Sequence, residues 1–279
     1  MVKYNILIFS FLLMGTLSGM DQPKKRKISL IKNAGIGVAA AAAEITIDQP
    51  LVYWKNMIQS GKRIDWARPQ AFYRGAGVNL ASLAPTTAIQ VAINGLLNDI
   101  QAHYPLRQMV NAWLAGAMSA IVSSPSEALI LHQQMSGKNA FETAKNLWKQ
   151  FGKTCLTRGI LPTCIRDGGF ACGFLALGPA AKEYLKQYSD NQILGMCGLV
   201  GAGLIAAGGT HMFDLTKTVM QKDLASNKGM INIMRHIVAT EGYKGLFKGL
   251  IPRSMRVAMA IPIMSTVTEH LQRYNAIDE

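Results

Sequence analysis

Apolar residues run in long stretches along this chain, with short polar segments between them. Six stretches cover roughly 33–58, 75–97, 108–134, 158–185, 192–221 and 249–273. Each is long enough to cross a bilayer as a helix, which takes about 20 residues. Several are dense in small residues, as in NAGIGVAAAAAE, WLAGAMSAIVSS and GLVGAGLIAAGG, and small side chains let membrane helices approach closely. The pattern predicts an all-α membrane protein of six transmembrane helices. A further apolar stretch, MVKYNILIFSFLLMGTLSGM, opens the chain and runs into DQPKKRKISL, so residues 1–27 read as a signal-like or anchor segment.

Charge adds a direction. The 279 residues include 29 basic and 16 acidic ones, for a net charge of +13. Such a balance suits nucleic acid or a membrane protein with basic loops on one side. The cations lie scattered between apolar runs, which favours the membrane over nucleic acid as partner. The loops after the first, third and fifth stretches are the basic ones. Lys62, Arg63, Arg68 and Arg74 stand against Asp65; four Lys and an Arg stand against Glu142 over 136–158; five basic residues stand against Asp223 and Glu241 over 222–248. The loops after the second and fourth stretches balance. Basic loops on one face place both ends of the spans on the other.

The chain also repeats. YRG (73–75), TRG (157–159) and FKG (247–249) each open a long apolar stretch, 84 and 90 positions apart. Ahead of them lie PLVYWKNMIQ (50–59), PSEALILHQQ (125–134) and MFDLTKTVMQ (212–221), each with Gln at the tenth place. Three units follow, 28–107, 108–190 and 191–279. Each is a pair of spans around a basic loop, and a central site lies where the units meet.

These blocks resemble the signature of the mitochondrial carrier family: Pro, any, acid, two of any, base, three of any, Gln, then Gly, four of any, aromatic, base, Gly. EGYKGLFKG fits the second half throughout, and FDLTKTVMQ fits the first half with Met212 at the proline place. The resemblance implies three pseudo-symmetric repeats around a central cavity, in the mitochondrial inner membrane, acting as a monomer without cofactor or metal. It also implies a gate of ion pairs below the cavity. The acid places hold Val52, Glu127 and Asp214, and the base places Lys55, Ile130 and Lys217. If each base meets the acid of the next odd helix, Lys55–Glu127 is the one pair left, with Asp214 facing Ile130 and Lys217 facing Val52. Gln59, Gln134 and Gln221 stand at the places that brace such pairs. The opposite gate falls on 94–98, 178–182 and 267–271, where Lys182 alone matches.

Seven positions after each repeat glycine stand Ser82, Arg166 and Arg256. An arginine facing lipid is costly. The resemblance points all three places into the cavity, as substrate-binding residues. The alternative for Arg166 is an ion pair with its neighbour Asp167. If the two arginines serve the cavity, replacing either by Ala is expected to spare the fold. Two guanidinium forks converging on one cavity fit a small anionic solute, carboxylate or phosphate. The Arg166–Asp167 pair resembles the amino-acid branch of the family, in which Asp takes the ammonium group. PTTAIQVA (85–92) is similar to the corresponding stretch of adenine nucleotide carriers, although Ser82 stands where those have Arg. The apolar start and missing gate residues resemble divergent carriers such as the nucleotide carrier that an intracellular bacterium delivers to host mitochondria. This reading implies an effector in a host cell. Adenine nucleotide leads, amino acid or carboxylate follows, and the reading of another class is a carrier scaffold that no longer transports and serves as an interaction module.

The YRG, TRG and FKG turns each set a base beside a free helix N-terminus, which attracts phosphate. The resemblance implies cardiolipin bound at Arg74, Gly75, Arg158, Gly159, Lys248 and Gly249. KNAFETAKNLWKQF and GMINIMRHIVATEG have amphipathic spacing and predict surface helices in repeats two and three, while repeat one has room for a turn or two. The five His are scattered, and the four Cys show no metal or redox spacing. No nucleophile–base set points to an enzyme.

Overall fold

A computed structural model describes residues 30–101, 105–188 and 192–277. The signal-like segment 1–27 lies outside them. Helix α1 spans Leu30–Ser60, α2 Ala76–Gln101 and α3 Pro105–Ser136. The surface helix α4 spans Ala140–Phe151. Then α5 (Ile160–Ala171) passes through a π-helical stretch, Cys172–Leu177, into α6 (Gly178–Lys186). Next, α7 (Gln192–Gly209) turns by 53° into α8 (His211–Lys222). A second surface helix, α9 (Met230–Glu241), precedes α10 (Leu250–Ile277).

The long helices make six rods: α1, α2, α3, α5–α6, α7–α8 and α10. Each rod touches the next, and α10 closes back on α1. The ring is tied across its middle, where α8 touches both α1 and α3. Among the described residues there is no strand. The outer surface carries Ile121, Leu161, Ile205 and Ile251, each more than half exposed. The inside holds Asp48, Gln49, Asp214, Lys217 and Gln221, each nearly fully buried. Apolar outside and polar within is the reverse of a water-soluble core.

Among the described residues, only Met109–Ser136 is long and apolar enough by itself to cross a membrane, and the bent α7–α8 pair makes a second such unit. The other rods fall short of that test partly because of inward-facing charges. Glu44, Asp48 and Lys55 of α1 are buried or nearly so, as is Arg253 of α10.

Three glycine turns set the rods. Gly75, Gly159 and Gly249 have φ of 88°, 87° and 84°, a left-handed conformation that side chains resist. They also lie tight against neighbouring repeats: Gly159 under Gln221 and Gly249 under Gln59. Pro50 and Pro125 sit inside continuous helices. In the third repeat Met212 replaces proline, and the chain bends beside Gly209 and Thr210 instead.

The expected surface helices are in place. Asn139 caps α4 by accepting from the Glu142 amide at 2.8 Å. Leu147 packs with Cys155 and Leu224, fixing α4 to the end of rod five. Repeat one carries a short 3₁₀ turn, Pro69–Tyr73, in their stead.

Candidate functional site: a polar cavity over an ion-paired floor

A cavity of about 160 Å³ lies where α1, α3, α5, α8 and α10 meet. Its lining holds five cations, Lys55, Arg166, Lys217, Arg253 and Arg256, against three anions, Glu127, Asp167 and Asp214.

The floor is a closed network. Lys55 Nζ meets Asp214 at 3.1 Å, and Lys217 Nζ meets Glu127 at 2.6 Å. The order corrects the expected Lys55–Glu127 pairing. Each base turns to the neighbour on the other side, so repeat one pairs with three and three with two. Spacing along one helix places acid and base on adjacent turns; the side each faces depends on the sense of the ring, which spacing does not contain. The correction changes the count as well. Two pairs survive, and the places left over, Val52 and Ile130, belong to one pair. Both line the cavity. That pair has become apolar as a unit, which leaves no charge behind.

Arg166 completes the floor. Its Nη1 donates to Glu127 at 2.8 Å and to Asp214 at 2.9 Å, while Nε and Nη2 hold Asp167 at 2.7 and 2.6 Å. The side chain is 8 % exposed. The cavity and ion-pair alternatives for Arg166 are therefore both present. The expectation that its removal spares the fold does not hold, because three carboxylates depend on it. Asp167 also accepts from Ser123 Oγ at 2.7 Å, so its oxygens are engaged on both sides.

The glutamines divide their work. Gln59 donates to Asp214 at 3.0 Å and accepts from Thr218 at 2.7 Å. Gln134 accepts from Asn56 at 2.7 Å and donates to the Arg74 carbonyl at 3.1 Å. Gln221 donates to the Ser124 carbonyl at 3.0 Å. Of the three, Gln59 alone touches a gate residue. The others clamp one repeat to the next.

Arg256 reaches the cavity from α10 and pairs with Glu44 at 3.3 Å, with its side chain 40 % exposed. Ser82 donates to the Asn79 carbonyl, and Asn79, not Ser82, lines the cavity in repeat one. At the turns, the Arg158 guanidinium donates to the carbonyls of Met220, Asp223 and Lys228, and Lys248 pairs with Glu241 at 2.6 Å. Arg74 packs on Gly137. Lys182, from the opposite gate, packs over Gly195; several side chains of 94–98 and 267–271 lie outside the described residues.

Sequence reasoning gave no role in the site to several participants. Gln49 donates to the Arg74 carbonyl at 2.9 Å, and His211 makes the equivalent bond to the Lys248 carbonyl at 2.9 Å. Both stand directly before the proline place of their repeat, which was the available signal. Arg253 donates to Thr210 at 2.7 Å and stands 3.8 Å from Asp214. His132 holds the Gln221 carbonyl at 2.8 Å.

Comparison with known proteins fits this geometry. A sequence model of the family described as mitochondrial carrier protein matches residues 101–189 and 192–277. "Mitochondrial substrate carrier family protein X" of Dictyostelium discoideum is 27 % identical over 214 residues, covering 72 % of this chain and 71 % of that protein. "Mitochondrial adenyl nucleotide antiporter SLC25A24" of Danio rerio is 27 % identical over 242 residues, covering 78 % of this chain and 49 % of that protein. "Mitochondrial glycine transporter B" of Danio rerio is 32 % identical over 132 residues, 46 % of each chain. This chain spans about half the length of several relatives it matches.

Proposed function

The chain belongs to the mitochondrial carrier family, and on that premise we propose that it carries a small anionic metabolite across a membrane by alternating access, with adenine nucleotide as the leading solute. In this reading the six rods are transmembrane helices in three repeats, acting as a monomer in the mitochondrial inner membrane with cardiolipin at the glycine turns. The observation that carries the solute class is the cavity lining, five cations against three anions. An anion brought there meets a wall of net positive charge built from partly buried groups, where charge acts more strongly than in bulk water.

Arg166 supplies the mechanism. It holds Glu127 and Asp214 together across two rods. A phosphate or carboxylate that takes its guanidinium weakens both contacts, so solute binding loosens the floor. Lys55–Asp214 and Lys217–Glu127 then part, and the floor opens toward the basic loops. The empty carrier keeps them closed. This is the differential binding that alternating access requires.

The amino-acid reading has the glycine transporter match in its favour. Against it, Asp167 is held by Arg166 and Ser123 and is not offered to a ligand's ammonium group. Uptake into proteoliposomes of labelled ATP, phosphate, glycine and a dicarboxylate separates the readings. ATP uptake with exchange against internal ATP supports the proposal. Uptake of glycine alone supports the rival. Correctly inserted protein that accumulates none of them leaves the interaction module.

A further inference from the structure

Asp48 sits on α1 one turn beyond Glu44, two residues before Pro50. It is 1 % exposed, and neither carboxyl oxygen has a hydrogen-bond partner or contact with solvent. An ionised carboxylate left in that condition is among the costliest things a folded chain can hold, and worse in a membrane interior. Every other buried acid of the site has donors: Asp214 has Lys55, Gln59 and Arg166, and Asp167 has Arg166 and Ser123.

Across the α1–α10 interface lies a matching defect. Arg256 Nε is also buried without a partner, while Nη2 of the same guanidinium pairs with Glu44 at 3.3 Å. An orphan donor and an orphan acceptor thus lie on two rods that pack together. Arg256 and Glu44 are the charged groups that act on Asp48. Charged groups on the other elements packed against α1 are engaged elsewhere. Asp214 pairs with Lys55 and Arg166, Lys217 with Glu127, His211 with the Lys248 carbonyl, and Arg74 packs on Gly137. Arg253 holds Thr210.

We propose that Asp48 is a proton-binding site, charged and discharged in step with anion binding at Arg256. Two arrangements of the three groups differ by one proton. In the first, with the contacts seen, Arg256 neutralises Glu44, and Asp48 on this proposal carries a proton, so the three groups sum to zero. In the other, Asp48 gives its proton to water and shares the Arg256 guanidinium with Glu44, so the three groups carry one negative charge. Only an O–H bond is broken or made. Asp48 does not line the cavity and is 1 % exposed, so the solute does not touch it in the closed arrangement.

The link to solute follows from the same ledger. Arg256 is one cation beside two carboxyls. An anionic solute that draws on Arg256 leaves Glu44 and Asp48 with less compensation, and holding a proton on the pair becomes easier. By reciprocity, a proton on the pair frees Arg256 for the anion. Solute and proton are then carried together. This second half rests on the carrier reading above; the proton site itself does not.

The experiment therefore has two arms, both on the full chain in cardiolipin-containing liposomes. In the first, infrared spectra at neutral pH show the stretch of a protonated carboxyl in the unmodified protein, lost in Asp48→Asn. It is also lost in Glu44→Gln, where Arg256 has no other acid and turns to Asp48. A protonated-carboxyl signal that is absent from the unmodified chain, or that survives Asp48→Asn, overturns the site. In the second, uptake of labelled ATP is driven by a pH gradient, alkaline inside. One coupled proton gives up to about tenfold more accumulation per pH unit. Asp48→Asn is expected to keep uptake and lose the gradient response. ATP uptake that ignores the gradient in the unmodified chain, or responds equally in Asp48→Asn, overturns the coupling. Absence of ATP uptake in every condition counts against the nucleotide reading, and the infrared arm still decides the site.

Discussion

Arg166 and Arg256 stand at equivalent places of two repeats, yet their surroundings give them different weights. Arg166 is enclosed by Glu127, Asp167 and Asp214. Removing one member of such a buried network costs about 3–5 kcal/mol, since the remaining charges lose their compensation. Arg256 has one acid partner and an open side. Arg166→Ala is therefore expected to lose transport and to melt well below the unmodified protein. Arg256→Ala should lose transport with a smaller drop in melting, since it leaves one paired acid, Glu44, uncompensated rather than three. Arg256→Lys should transport poorly too, for want of the planar fork. Thermal melts in detergent set beside uptake assays check the ranking; equal melting of the two Ala variants would contradict it. The seven-residue count after each glycine made the two arginines equivalent, and the family resemblance implied that such places face the centre. That Arg166 also carries the floor was not, because its partners come from rods far away in the chain.

At the level of elements, the repeats write their own turns. The glycines of YRG, TRG and FKG were legible as helix starts, and all three take positive φ. At Gly159 a β-carbon would be strained by φ of 87° and would also press on the Gln221 side chain at 3.0 Å. Gly159→Ala is expected to destabilise by about 1–3 kcal/mol. Gly201, inside α7 with open space where its side chain would go, is the control. Gly201→Ala should leave melting unchanged or raise it slightly. A Gly159→Ala protein that melts with the Gly201→Ala protein would show that the turn relaxes without cost. The amphipathic surface helices were readable as well, since periodicity and an Asn cap act locally. The π-helical stretch in rod four was not. Within it Gly173 lies against Ala206 of the next rod, a contact between helices that a local pattern does not contain.

Across the whole molecule, the state of the floor decides how the carrier runs. The correct pairing leaves two ion pairs plus the Arg166 brace, with Val52 and Ile130 as the third, apolar position. A strict exchanger needs an empty form that stays closed, so that only the loaded form crosses. With one pair of three missing, the empty form is held less firmly, and some net transport is expected beside exchange. Restoring the pair tests this directly. Val52→Asp alone, or Ile130→Lys alone, places an unmatched charge at the floor and should lower stability by a few kcal/mol. The double variant should recover most of that loss, with a coupling energy of about 0.5–3 kcal/mol in a double-mutant cycle. Each 1.4 kcal/mol added to the closed form cuts the rate at which the empty carrier opens by about tenfold if the opening barrier rises equally. Uptake in the double variant should therefore depend more strictly on internal counter-solute than in the unmodified chain. Measured with and without ATP inside the vesicles, equal dependence in the two proteins would show that the third pair does not set the mode, and that Arg166 alone supplies what Val52 and Ile130 lack.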